Sequence, residues 1–433
     1  VASLSWQSGS PAELLRAALL LCRDSPPGLG DAIEDDKTEY LDIVAHFVAL
    51  LRKHRTSIDI DASRVLRECV PRAFAFVNDV MFVVHAFAQA LEDAFYEEIA
   101  VEMALSGEMA LDDGALFLRP RGTLYDAMKQ LRPPVVPRLG ARAEHRKVLS
   151  SEPAQTRHAA LFVQPAGLKW RVRVDMRRYD ALEAALPGVP KVTAIHPFSP
   201  SNPVHVPAAV DGRVFGVGPT DQEAAWKTAK ELLATAAECG ARVAVMPELS
   251  VGRGVVPELA GERVPALVLT GSQHLVDEAG AQRNRARLHL NGEVVLIHDK
   301  VVRFRDLHDE PVIEDIKSGD AVTVLLSRSW GVVPLICADV NDPTLSAMLV
   351  RLGANLVLVG AMTGATGFFN TDLEHITASS QGLAVWVNEP TPQGRYKHTS
   401  AFYLPGKKLR RKVFRDRGRG PSVRSCDWTY WLK

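Results

Sequence analysis

Three reactive side chains stand at the ends of apolar, strand-like runs. Val243-Ala244-Val245-Met246-Pro247 leads into Glu248, Val294-Val295-Leu296-Ile297-His298-Asp299 into Lys300, and Val332-Val333-Pro334-Leu335-Ile336 into Cys337. Side chains at strand ends can reach a shared crevice while the sheet holds them rigidly. An acid, an amine and a thiol suit covalent hydrolysis of an amide-like bond. The thiolate attacks a carbonyl or nitrile carbon, a neighbouring base takes the thiol proton, and a cation steadies the thiolate and the developing oxyanion. Taken singly, each residue also has a plainer reading: Glu248 starts a loop, Lys300 is a surface amine, and Cys337 is a small buried hydrophobe.

The elements around these residues alternate. Lys191–His196, Arg242–Met246 and Ala266–Thr270 read as strands, with a helix over Gln222–Glu238. Arg285–Leu290 and Val294–His298 flank Asn291-Gly292, a pair that tolerates the positive φ of a type I′ hairpin turn. Val322–Ser327, Val332–Cys337, Asn355–Val359 and Leu383–Asn388 continue as strands, with helices over Pro343–Leu352 and Asp372–Gln381. This is an α/β pattern with antiparallel pieces. Upstream, Pro11–Cys22, Thr38–His54 and Ala62–Phe76 show three- and four-residue apolar spacing, and Phe82–Leu105 is apolar on more than one face. The expected organisation is therefore a mostly α-helical domain over 1–131, a basic, proline-bearing connecting segment over 132–189, and an α/β domain over 190–433.

The ordered motifs of the last domain resemble the nitrilase superfamily of carbon–nitrogen hydrolases. The resemblance is carried by Met246-Pro247-Glu248-Leu249-Ser250, by Asn291-Gly292 with His298-Asp299-Lys300, and by Gly331-Val332-Val333-Pro334-Leu335-Ile336-Cys337-Ala338-Asp339. Leu352–Val359, Ala378–Asn388 and Ser400–Gly406 extend it, so that it spans roughly Lys191–Gly406. It implies an αββα sandwich, with Cys337 as nucleophile, Glu248 as general base and acid, Lys300 as oxyanion stabiliser and the Ala338 backbone N–H as a second oxyanion donor. It also implies a further glutamate after the lysine, for which Glu310 is the first candidate, ahead of Asp309 and Glu314. The implied chemistry needs neither metal nor organic cofactor, and the implied assembly is a homodimer or higher oligomer. Lys300 is followed by Val301-Val302-Arg303-Phe304, and Cys337 by Ala338-Asp339, which departs from true nitrilases and favours amide or carbamoyl substrates over nitriles. The interval from Glu248 to Gly271 is also short for the family.

The 433 residues carry equal numbers of acidic and basic side chains, 47% hydrophobic and 24% charged residues, the balance of a globular protein. Five scattered cysteines form no metal-binding or disulfide pattern, and a reducing cytoplasm is the expected location. No membrane span or signal peptide is expected. Charge is blocked along the chain: 18 acidic against 9 basic residues over 1–110, 14 basic against 4 acidic over 119–178, and 9 basic residues with Asp416 over 407–424. The two basic blocks fit either charge pairing within the protein or binding of nucleic acid or another polyanion. Val1 at the start suits a segment of a longer polypeptide. Two other readings stay open beside hydrolysis. One is a module of a larger bacterial antiviral defence protein, in the manner of nitrilase-like domains fused behind a reverse transcriptase. The other is a binding protein that keeps the fold without turnover.

Overall fold

The computed structural model describes residues 10–24, 29, 32–33, 37–53, 80–120, 155–165, 167–199, 201–306, 312–363, 367–380, 382–389, 399–404, 411–415 and 421–426. The helix expected over Ala62–Phe76 lies outside them. The chain divides into two compact units, Val1–Arg119 with Pro133–Ala166, and Pro120–Arg132 with Gly167–Lys433.

The first unit packs helices α1 (Pro11–Arg23), α2 (Lys37–Lys53) and α3 (Val80–Ser106) with a two-stranded antiparallel sheet of β1 (Leu116–Leu118) and β2 (Ala159–Leu161). Ser10 and Glu13 close a capping box at the start of α1, each meeting the other's backbone N–H. Leu14, Leu15, Ala18, Leu19 and Cys22 then form its buried stripe. Helix α3 is buried on several faces and bends at Phe95.

Within this core Glu92 is buried and accepts from the Thr156 hydroxyl and from the His158 and Ala159 backbone N–H groups, both at 2.9 Å. Burial lifts its carboxyl to about 7, against the lowering effect of the Thr156 and His158 hydrogen bonds. An unfolded chain releases this proton at its ordinary value of about 4.3, so between those limits the folded state holds a proton that the unfolded state has lost. Local stability is therefore expected to fall as pH rises through that window, by about 3–4 kcal/mol. In the full chain, hydrogen exchange of the amides at 156–161 should show this loss, and Glu92→Gln should remove it. A wild type that gains protection over the window relative to Glu92→Gln would contradict the assignment.

The second unit is built on two sheets. One runs in the order β3 (Arg171–Asp175), β10 (Ala321–Leu326), β11 (Gly331–Ile336), β12 (Leu356–Ala361), β13 (Leu383–Asn388), β14 (Thr399–Tyr403) and β15 (Arg411–Arg415). The other, six-stranded, runs β8 (Glu293–Asp299), β7 (Gln282–Leu290), β6 (Leu267–Val276), β5 (Val243–Val245), β4 (Val192–His196) and β16 (Ser422–Cys426). The centres of both are parallel, with antiparallel strands towards the edges. Strands β12 and β13 of the first sheet pack on β4, β5 and β6 of the second. These strands are largely buried, polar residues such as Thr193, His196 and His274 included, because both of their faces are covered.

Helices cover the outer faces, giving an α–β–β–α layering. Helix α5 (Gln222–Glu238) lies on the second sheet, while α4 (Tyr179–Ala185) and α7 (Gly367–Ser380) lie on the first. Asp221 caps α5 by accepting from Ala224 N at 3.0 Å. Its Ala225, Ala229, Leu233 and Ala236 recur every three or four residues, and small side chains let it settle closely on Ile195, Ala244 and Val268. Helix α6 (Pro343–Leu352) starts at the Asp342 cap and ends at Gly353, whose φ of 70° closes the last turn.

Asn291 and Gly292 both take positive φ, 51° and 85°, between the antiparallel β7 and β8, as the hairpin reading requires. The connecting segment expected over 132–189 is divided differently. Its residues from Gly167 onward belong to the second unit, where β3 pairs in parallel with β10 from Arg171↔Ala321 to Asp175↔Leu325. Leu168–Val174 alternates between apolar and polar residues as a strand does, but its partner lies about 150 residues downstream (from the same register) and local pattern does not reveal it.

Candidate active site

Strand β5 delivers Glu248, β8 delivers Lys300 and β11 delivers Cys337, and the sandwich brings the three together. Gly360 on β12 allows the close approach of the two sheets: a Cβ there would stand 2.7 Å from Met246 O and 3.1 Å from Glu248 N. Gly271, at a positive φ of 74° in a bulge of β6, faces Pro247 O and the Ser250 hydroxyl too closely for any side chain. Leu249 and Cys337, neither of them glycine, are held at φ 57° and 45°. Backbone strain of this kind costs on the order of 1–3 kcal/mol per residue and persists where surrounding structure enforces it. At Cys337 it turns the chain from β11 directly into a short 3-10 helix over Cys337–Asn341.

Lys300 is 1% exposed and donates to two buried carboxylates, Glu248 Oε1 at 2.7 Å and Glu314 Oε2 at 2.8 Å. Burial opposes its charge, but Glu248 and Glu314 outweigh that effect and hold its pKa well above the usual lysine range. For Glu314 burial acts upward, yet the Lys300 charge and the His274 hydrogen bond hold it well below the usual carboxylate range. Asn284 bridges both acids, its Nδ2 donating to Glu248 Oε1 at 2.9 Å and Glu314 Oε1 at 2.7 Å. The second oxygen of Glu248 accepts from Met362 N at 3.0 Å. His274 Nδ1 accepts from the Gly216 and Val217 N–H groups, so its Nε2 carries the proton given to Glu314 Oε1 at 3.0 Å.

Cys337 has a free thiol, pushed well above the usual range by burial and by the nearby Glu248 charge, with Lys300 pulling it back. A thiol in this state keeps its proton at rest and needs a base at the moment of attack. Asp339, fully buried, braces the arrangement. Its Oδ1 accepts from Val301 N and Val302 N at 3.0 and 2.9 Å, and its Oδ2 accepts from Ile336 N at 3.0 Å and meets His298 Nε2 at 2.8 Å. One carboxylate thus ties the turn before the nucleophile to the segment after the lysine.

In front of Cys337 opens a cavity of about 750 Å³, lined among others by Ala338, Val301, Phe304, Trp170, Thr363 and Phe369. Among the described residues no three His, Cys, Asp or Glu side chains converge to hold a metal ion. No described helix is long and apolar enough to cross a membrane.

Of the residues singled out in the sequence, Glu248, Lys300, Cys337 and Ala338 are therefore in one place. Glu310 and Asp309 lie outside the described residues, and the glutamate on Lys300 is Glu314, at the end of the short strand β9 (Val312–Glu314), the candidate ranked behind them. Asn284, flanked by Arg283 and Arg285, and His274, which follows Ser272 and Gln273, carry no local signal that sets them apart from their neighbours. The basic block over 119–178 lies largely outside the described residues. Within it Arg171 pairs with Asp320, Arg177 with Asp175 at 2.6 Å and Arg178 with Glu293 at 3.5 Å.

No family model matches the chain, and no curated protein matches it. Among solved structures it is similar to an amidase of the nitrilase superfamily from Nesterenkonia AN1, at 16% identity and a TM-score of 0.39 over 54% of this chain and 88% of that one. A form of the Nesterenkonia amidase with acrylamide added at its active-site cysteine matches at 15% identity and a TM-score of 0.41, over 55% and 93% of the two chains. The glutamine-dependent NAD+ synthetase of Acinetobacter baumannii matches at 17% identity and a TM-score of 0.40, over 55% of this chain and 45% of that one.

Proposed function

We propose that the second unit is a cysteine-dependent hydrolase of a non-peptide carbon–nitrogen bond, with an amide as substrate. The observation that carries this reading is a strained, cavity-lining thiol backed by a buried lysine between two carboxylates.

The Cys337 sulfur attacks the carbonyl carbon while Glu248 takes the thiol proton, and the developing oxyanion is stabilised by Lys300 and the Ala338 N–H. Glu248 then gives the proton to the leaving nitrogen, the C–N bond breaks, and an acyl thioester remains on Cys337. A water molecule, deprotonated by Glu248, attacks the thioester, and the acid product leaves as the thiol is restored. Glu314 touches none of the reacting atoms. Its role is to hold Lys300 in its charged form and in position, with Asn284 and His274 holding Glu314 in turn.

A panel of small amides and carbamoyl compounds, quenched in acid during turnover, tests this reading. The expected result is a mass increase of the acyl group on the peptide containing Cys337. Hydrolysis with the acyl group on another residue, or no hydrolysis across the panel, would overturn it.

A further inference from the structure

The hydrolytic step leaves three cations at the Cys337 cavity without a task. Lys169, just before β3, and Arg303 and Arg305, just after Lys300, all line that cavity and are exposed. Among the described residues none of the three forms an ion pair, whereas their neighbours Arg171, Arg177, Arg283 and Arg285 all do. The acid in the cavity lining is Asp342, and its Oδ1 accepts from Leu345 N at 3.0 Å to cap α6. Glu248 and Glu314 are buried and both pair with Lys300. A pocket walled by Trp170, Val301, Phe304 and Phe369 and edged by cations that are unpaired among the described residues concentrates anions.

We infer that the substrate is an anionic amide, with its carboxylate or phosphate group towards Lys169, Arg303 and Arg305 and its carbonyl carbon at Cys337. The amide half of this assignment rests on the hydrolase reading, while the anion preference rests on the cavity lining alone. Guanidinium groups suit both anions, since their planar donors meet two oxygens at once. The apolar walls fit a short hydrocarbon spacer between the two ends.

Two arms test the inference with the full chain. In the first, alkylation of Cys337 by iodoacetate and by iodoacetamide is followed on its own peptide, and each rate is divided by that of 2-mercaptoethanol. The iodoacetate preference at Cys337 is expected to exceed that of the free thiol about tenfold, to fall as salt is added, and to fall in Arg303→Gln and, separately, in Arg305→Gln. A preference no greater than that of the free thiol, or one that neither substitution alters, overturns the anionic site.

In the second arm, glutaramate, an amide of equal length ending in a phosphate monoester, and the neutral methyl ester of glutaramate are compared as substrates. A higher kcat/KM for either anion than for the ester supports the inference and shows which anion is preferred. A higher value for the ester overturns it. If the alkylation preference is found and none of the amides acylates Cys337, the anion site stands and the hydrolase reading falls. If the amides are cleaved without an anion preference in either arm, the hydrolase reading stands and this one falls.

Discussion

Lys300→Met is expected to lower stability by about 3–5 kcal/mol at neutral pH, the range for breaking a buried charge pair from one side. The substitution keeps the length and apolar character of the stem but removes the cation shared by Glu248 and Glu314, which are 3% exposed each. Two carboxylates bridged by one Asn284 amide would then share a dry site, and their lowest-energy response is to take up a proton.

The direction with pH follows. In the wild type, Glu314 is held below its ordinary value, so it contributes stability above the unfolded-state value, lost as pH falls through the folded one. In the variant its pKa moves above the ordinary value, the folded state binds the extra proton, and stability declines as pH rises. The deficit against wild type should therefore be greater at about pH 8 than at about pH 5 in urea unfolding followed at both. Equal deficits would show that Glu314 is not coupled to Lys300. Turnover should fall by more than the roughly 10²–10³-fold typical of losing one oxyanion donor, because Glu248 also loses the Lys300 amine that positions it. Survival of normal kcat would remove Lys300 from the chemistry.

Glu248→Gln separates base from brace in a different way. Losing a general base commonly costs about 10²–10⁴-fold in rate, and kcat should fall within that range. The thiol should respond in the opposite sense to the activity. Burial and then the Glu248 charge hold the Cys337 pKa up, so an uncharged Gln lets it fall, with Lys300 still charged against Glu314. Thiolate absorbance should then titrate at lower pH in the variant than in the wild type, a less active protein with a more readily ionised thiol. A midpoint that stays put or rises would mean that Glu248 does not face the sulfur. Full activity with a lowered midpoint would mean that some other group takes the proton.

Much of the site was legible before any coordinates. Glu248, Lys300 and Cys337 each follow an apolar run, and Asn291-Gly292 marked the hairpin that leads into Lys300. These signals are local: burial on both faces writes the continuous apolar runs of β5 and β11, and a positive φ demands particular residues. The apolar spacing of α5 is of the same kind.

What remained hidden depends on register between distant segments. Whether Glu310 or Glu314 reaches Lys300 is decided by how the chain from Arg303 returns to pair Glu314 beside Val214, and the spacing along the chain does not contain that. Asn284 and His274 become partners of the acids because β6 and β7 pair with each other at His274↔Asn284. The place of β3 beside β10 likewise moved residues read as a connector into a sheet. The sequence by itself therefore determined which residues could react and which runs would form strands. Only the tertiary structure decided which acid holds the lysine, which carboxylate braces the nucleophile, and which cations face the cavity, since each depends on contacts between segments far apart along the chain.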